Sequence, residues 1–334
     1  MKRAVLLFAL LSLLACGQRE TTSSAPAETT APRAAARPFR VGLLTPGSIN
    51  DGGWNALAWE GVQRIQKELG AEISHQETKT PAEMTEGFRA FGQKGFDLAF
   101  GHGFEYQEPA KTAGAQFPGT IYITTSGSTI AANVAPMRFQ IEEATYLLGI
   151  IAARESKTGK AGLVGGINVP SIASSFLAFK AGAQSVDPRF EVKEVYTGNF
   201  DDLGAAKLAT LSLINAGVDY VFHQANEAGR GVFQACNEKK IRCFGANADQ
   251  SEFGPDTVVA SAVVDVPAAY VETAKIVKEG RFEPEIQHFG MKQGTVSLVW
   301  NEKLKPTISA ATLAEVERVT NDIKKGIVKP PAGF

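Results

Sequence analysis

Three short stretches of the chain set an aromatic side chain among small polar residues. They are Gly47-Ser48-Ile49-Asn50-Asp51-Gly52-Gly53-Trp54-Asn55, Gly101-His102-Gly103-Phe104-Glu105 and Gly198-Asn199-Phe200-Asp201-Asp202. The chemistry such sets can do is non-covalent. An aromatic face attracts a flat ring, and neighbouring amides and carboxylates select among ring edges by hydrogen bonding. Each stretch also has a plain structural reading. In the first, Asp51 or Asn50 caps a helix and Trp54 joins the core; alternatively, Trp54 stacks on a planar ligand and Asn55 bonds its edge. In the third, Asp201 or Asp202 caps a helix, which accounts for the aspartates better than for Phe200.

Other chemistries find less support. Gly165-Gly166-Ile167-Asn168-Val169-Pro170 is glycine-rich but lacks the lysine of a phosphate-binding loop, and Gly101 to Glu105 lacks the dinucleotide fingerprint. Asn168 either meets a ligand or holds its turn. The chain has four histidines, with no His-Glu-x-x-His and no Gly-x-Ser-x-Gly. Asp201-Asp202 has no third carboxylate nearby to complete a metal site. The cysteines Cys16, Cys236 and Cys243 lack the paired spacing of structural zinc. Cys236 and Cys243 fall at a helix end and the next strand's start. A disulfide is the favoured expectation in an oxidising compartment, and two buried thiols the alternative. The expectation is a binding protein, not an enzyme, with no metal and no cofactor.

The bulk properties set the frame. The 334 residues suffice for two ordinary domains, and 44% hydrophobic with 21% charged residues is a soluble globular mix. A net charge of -1 offers no field for nucleic acid. Lys2 and Arg3 precede an apolar run that ends Leu13-Leu14-Ala15-Cys16-Gly17, which resembles a bacterial lipobox. Residues 1–16 then form a lipoprotein signal peptide, and Cys16 is the acylated residue. Residues 17–38 are poor in large apolar side chains and read as a flexible tether. The expected location is extracytoplasmic, on a membrane through the lipid anchor, either at the periplasmic face or at the cell surface.

Beyond the tether, short apolar runs alternate with amphipathic stretches. Strands are expected at 40–45, 71–75, 96–100, 120–124, 160–164, 192–196, 218–222, 242–244 and 258–263, and helices at 54–69, 172–186, 203–216, 228–239 and 267–278. Thr80-Pro81-Ala82-Glu83 starts a further helix with a capping box. This alternation gives an α/β fold of parallel sheets flanked by helices, and two series of similar size favour two lobes. Ligands of such sheets sit beyond the carboxyl ends of the strands, where the aromatic-bearing loops fall.

Taken together, these loops resemble the basic membrane protein family, the purine nucleoside receptor type of ABC transporter substrate-binding lipoprotein. Asn50 to Asn55 is similar to its Asp-x-Ser-Phe-Asn signature, with Trp54 as the aromatic. Lys160 to Gly166 with Pro170, then Phe176, Phe179 and Lys180 to Gly182, resembles its Gly-Gly-x-x-x-Pro segment and helix. Gly198 to Asp202 resembles its Gly-Ser-Phe-x-Asp turn. His223-Gln224-Ala225, Gly229, Gly231 to Ala235 and Gly245 to Gln250 also fit.

The resemblance implies a two-lobed type I periplasmic-binding fold with a hinge of crossover strands. Its expected lobes are 39–138 plus 250–290 and 139–249 plus 291–330. It implies a heterocycle clamped between Trp54 and Phe200, with Asn50, Asp51, Asn55, Phe104, Glu105, Asn168, Asn226, Asn247 and Asp249 completing the ligand-binding set. The expected partners are a small molecule and an inner-membrane ABC permease, with no nucleic acid, and the chain itself a monomer. Two positions depart from the family. Asn247 replaces the first acid of its Gly-x-Asp-x-Asp-Gln loop, and its sugar-binding lysine falls at Val264 or Asp265. The departures weigh against ribose and admit a purine base, a modified nucleoside or another flat heterocycle such as a flavin. The rival readings are a ligand-sensing lipoprotein and a nucleoside-processing enzyme.

Overall fold

Val41 to Thr45 are all buried, as a strand covered on both faces requires. This strand, β1 (Arg40–Thr45), begins the first lobe of a computed structural model that describes residues 37–333. The expected signal peptide, Cys16 and the tether as far as residue 36 lie outside the described residues. From Pro38 onward the chain forms one compact unit.

The first lobe continues through α1 (Trp54–Leu69), β2 (Glu72–Glu77), α2 (Pro81–Gln93), β3 (Leu98–Gly101), α3 (Gln107–Gln116), β4 (Ile121–Thr125) and β5 (Val134–Phe139). The second lobe holds α4 (Glu142–Glu155), β6 (Lys160–Gly165), α5 (Pro170–Val186), β7 (Glu191–Tyr196), α6 (Leu203–Asn215), β8 (Tyr220–Gln224), α7 (Gly229–Lys239), β9 (Arg242–Asn247) and β10 (Val258–Val264). The chain then returns with α8 (Val266–Lys278) and β11 (Gln287–Phe289) and crosses once more to β12 (Val296–Trp300) and α9 (Ala310–Lys324). The sheet orders are β11-β5-β4-β3-β1-β2 and β12-β10-β9-β8-β6-β7. All the pairings are parallel except β10 with β12.

The two-lobed α/β reading holds, with one boundary corrected. β10 pairs with β9 and β12, so residues 250–264 stay in the second lobe and the chain returns at Asp265 rather than at 250. A buried apolar run does not encode which sheet it joins. What draws α8 back is Tyr270, whose ring stacks on Phe100 of β3 at 4.0 Å and 6°. Lys278 Nζ also donates to the Leu69 carbonyl at the end of α1 (2.7 Å).

Local signals behave as their chemistry dictates. Thr80 and Glu83 form the reciprocal capping box of α2, with Pro81 in its first turn. Asp202 caps α6 through the Ala205 amide (2.9 Å). α4 and α5 meet backbone to backbone: a Cβ on Gly149 would lie 2.0 Å from the Phe179 carbonyl oxygen, and one on Gly182 2.0 Å from that of Tyr146. The expected disulfide is also corrected. Cys236 on α7 and Cys243 on β9 are free, buried thiols. They share an apolar cluster with Val221, Val232 and Val258, where each serves as a small hydrophobe. The neighbouring Cys243 thiol and burial raise the Cys236 thiol well above its usual range.

Candidate functional site

Each sheet reverses its strand order at one point, and a crevice opens outside the carboxyl ends there. In the first sheet that point lies between β1 and β3, in the second between β6 and β8. The loops after these four strands carry Trp54, Phe104-Glu105, Asn168 and Asn226. Between the lobes lies a cavity of about 110 Å³ lined by residues of both, Trp54, Phe104, Glu105, Phe200, Asn226 and Asn247 among them. One water needs only about 10–15 Å³, so the cavity is sized for a small molecule.

Trp54 is held from behind. Its ring stacks on His102 at 3.9 Å and 25°, and Phe139 meets it edge-on at 5.9 Å. His102 is fully buried between two partners, Tyr270 Oη on Nδ1 (2.7 Å) and the Trp54 carbonyl on Nε2 (2.8 Å). A carbonyl only accepts, so Nε2–H donates and Nδ1 accepts from the tyrosine hydroxyl. The imidazole is therefore neutral, and burial pushes its pKa down to about 3. His102 is a backing plate for the indole, not an acid or a base.

Phe200 comes from the other lobe and owes its position to a missing side chain. A Cβ on Gly166 would lie 2.2 Å from Phe200 Cδ1. A Cβ on Gly165 would likewise lie 2.7 Å from the Tyr196 ring. The glycine pair after β6 thus seats aromatic rings rather than a phosphate. The Phe200 carbonyl accepts from the Ala228 amide (2.8 Å), which ties this loop to the one carrying Asn226.

Three of the four described non-glycine residues with positive φ line the cavity: Ser126 (66°), Asn226 (50°) and Asn247 (67°). Such backbone costs of order 1–3 kcal/mol per residue and gathers where function pins it. Asn226 Oδ1 is buried near Gly53 of the other lobe and has no hydrogen-bond partner among the described residues. Glu105 is the one ionisable residue of the lining among the described residues. It remains reachable by water from the cleft, yet crowding by protein atoms desolvates its carboxyl and raises its pKa.

The remaining expected residues do not line the cavity. Asp51 is buried and accepts from the amides of Gly53, Asn55 and Ala56 (2.9, 2.8 and 3.0 Å), so it caps α1. Asn55 is buried beside Gly47, and its Oδ1 has no partner among the described residues. Asn50 and Asn168 are exposed, and Asp249 is an exposed turn residue accepting from the Ser251 amide (3.0 Å). At the departure after β10, Val264 lines the cavity while Asp265 caps α8 through the Ala268 amide (2.9 Å). Sequence reading did not single out Ser126, Phe139, Ile141, Ser175 or Gln224 of the lining. It also missed two glutamines that fix loops. Gln107 Oε1 accepts from the Ser128 and Thr129 amides (2.6 and 3.0 Å) while its Nε2 donates to the Phe104 carbonyl (3.1 Å). Gln250 Oε1 accepts from His223 Nε2 (3.0 Å) and the Ala246 amide (2.8 Å). Burial keeps His223 neutral, its pKa lowered to about 4.

Residues 39–332 match the family model described as ABC transporter substrate-binding protein PnrA-like. Curated relatives include a purine-binding protein of Brucella abortus, 28% identical over 263 residues that cover 78% of this chain and 75% of that one. The nucleoside-binding protein BmpA of Lactococcus lactis is 29% identical over 273 residues, covering 75% and 78%. Among solved structures, an ABC transporter solute-binding protein from Aeropyrum pernix superposes with a TM-score of 0.80 at 26% identity, covering 87% of this chain and 93% of its own.

Proposed function

The chain belongs to the PnrA-like family of ABC transporter substrate-binding proteins, and from that premise we propose that it captures a flat, uncharged purine, as base or nucleoside, between Trp54 and Phe200. The family is one of extracytoplasmic binding proteins that work with a permease, and not of enzymes. Among the described residues no helix is long and apolar enough to cross a membrane. Acylation of Cys16 then holds the chain at the membrane, in keeping with the lipobox.

One observation carries the ligand class. Two aromatic rings from opposite lobes, Trp54 and Phe200, line the same cavity, and among the described residues its one ionisable lining group is the desolvated Glu105. Rings on either side favour a planar heterocycle. A lining without a cation gives no return for desolvating a phosphate or carboxylate. The amides of Asn226, Asn247 and Gln224, with Glu105, offer donors and acceptors for ring edges. Val264, in the cavity wall where the family's lysine is expected, favours the base over its riboside.

The test is mass spectrometry of small molecules released from the purified chain, followed by thermal melting with purine bases, purine nucleosides and flavins. A ligand at a hundredfold excess over Kd adds about 2.7 kcal/mol of stability. The expected result is stabilisation by purines. A panel in which only flavins, or nothing, raises the melting temperature defeats this ligand class.

A further inference from the structure

At the edge of the interlobe contact, away from the cavity lining, the second lobe grips the backbone of the first. Arg230, the second residue of α7, donates through a terminal guanidinium nitrogen to the Asn50 carbonyl in the loop between β1 and α1 (3.3 Å). Its guanidinium stands over the Phe253 ring at 5.4 Å, and Phe253 is itself stacked on Phe233 at 5.7 Å and 17°. The surface they meet is Gly52. A Cβ there would lie 3.1 Å from Phe253 Cζ and 3.4 Å from Arg230, and its φ of 67° suits glycine. Asn50 and Gly52 lie in the first lobe and Arg230 and Phe253 in the second, so these contacts bridge the two lobes.

We propose that Arg230 and Phe253 form a clasp that closes on the Asn50–Gly52 backbone and sets the fraction of the protein that is closed. Arg230 is then a positioning residue: it touches no ligand and acts on affinity through the closed population. This goes beyond the ligand reading above, because the clasp involves protein groups alone. The guanidinium suits the task. Its planar cation stacks on a ring face while its outer donors remain free to reach a carbonyl. A backbone acceptor makes the grip indifferent to what occupies the cleft. A ligand that fits only the closed form binds in proportion to the closed fraction, so the clasp scales the affinity for every ligand by the same factor.

The test measures closure without any ligand. Nitroxide labels on Lys67→Cys of α1 and Ser212→Cys of α6, in a chain carrying Cys16→Ser, report interlobe distances by pulsed electron resonance. Cys236 and Cys243 are buried and escape labelling. The expected result is that Arg230→Ala lowers the ratio of closed to open separations about tenfold, the worth of one charge-assisted hydrogen bond. Arg230→Lys recovers part of the loss. Phe253→Leu, which keeps an apolar side chain but removes the ring under the guanidinium, shifts the ratio in the same direction and decides the matter if Arg230→Ala does not fold. An unchanged distance distribution in the folded variants overturns the clasp and leaves the purine reading untouched.

Discussion

Gly166→Ala should weaken ligand binding without replacing any lining residue. The added Cβ would stand 2.2 and 2.4 Å from Phe200 Cδ1 and Cε1, and 2.8 Å from the Asn199 carbonyl oxygen. Carbon atoms rest at about 3.5–4.0 Å, so the ring must retreat by roughly 1.3 Å or more. A gap of about 1 Å on one face forfeits a quarter to a half of each dispersion contact. An aromatic–base stack is worth roughly 1–3 kcal/mol. Loss of a quarter to a half of that stack predicts binding weaker by about 2- to 10-fold and an overpacking cost to stability of roughly 1–3 kcal/mol. Calorimetric titration with hypoxanthine reads the first, and denaturant unfolding the second. A double-mutant cycle separates mechanism from damage. If Gly166→Ala acts through Phe200, it should cost nothing further once Phe200→Ala is present. An equal loss in both backgrounds, or no loss in the first, refutes the reasoning.

Two further outcomes concern pH and packing. His102 and His223 have folded pKa values near 3 and 4, below the unfolded value, so the unfolded chain binds their protons first. Their contribution is complete above about pH 6.5 and is lost as pH falls toward those values, at about 1.4 kcal/mol per unit for each. Glu142, buried at the start of α4, has a folded pKa raised to about 7 and acts in the opposite sense, its contribution present in acid and lost as pH rises through 7. Glu142→Gln should therefore raise stability at pH 8 more than at pH 5, by up to a few kcal/mol, as read from urea midpoints at the two pH values. Equal shifts at both would count against the assignment. Gly149→Ala places a Cβ 2.0 Å from the Phe179 carbonyl oxygen, where two backbones meet and neither can yield cheaply. It should abolish soluble expression or lower the melting temperature sharply, and a melting curve like the parent's would contradict that packing.

The sequence disclosed those features whose cause is local. Central strands such as β1 are apolar runs, and helices such as α1 and α2 carry their stripe and caps within their own residues. Elements whose identity depends on neighbours stayed hidden. β5 contains Pro136 and reads as a break, yet it lies between β4 and β11. α4 is buried on most of its surface, so no polar face marks its period. In the site, the aromatics stood out because a large ring in a polar loop is unusual. Asn226 and Asn247 carried a weaker local signal, since asparagine tolerates positive φ. Gln224 and Ser175 did not stand out, because only the meeting of β8 and α5 makes them lining residues. Asp51 misled for the reverse reason: the same carboxylate that suits a ligand also suits three amides at the start of a helix.

In the proposed function Trp54, backed by His102, is one face of a purine clamp. Calorimetric titration of the parent chain and of Trp54→Ala with hypoxanthine and guanosine tests it most directly. Saturable one-to-one binding of at least one of them by the parent is expected, weakened by about 5- to 150-fold in Trp54→Ala, with melting curves confirming that the variant is folded. Equal affinity in the two proteins, or no heat from either ligand with the parent, would contradict it.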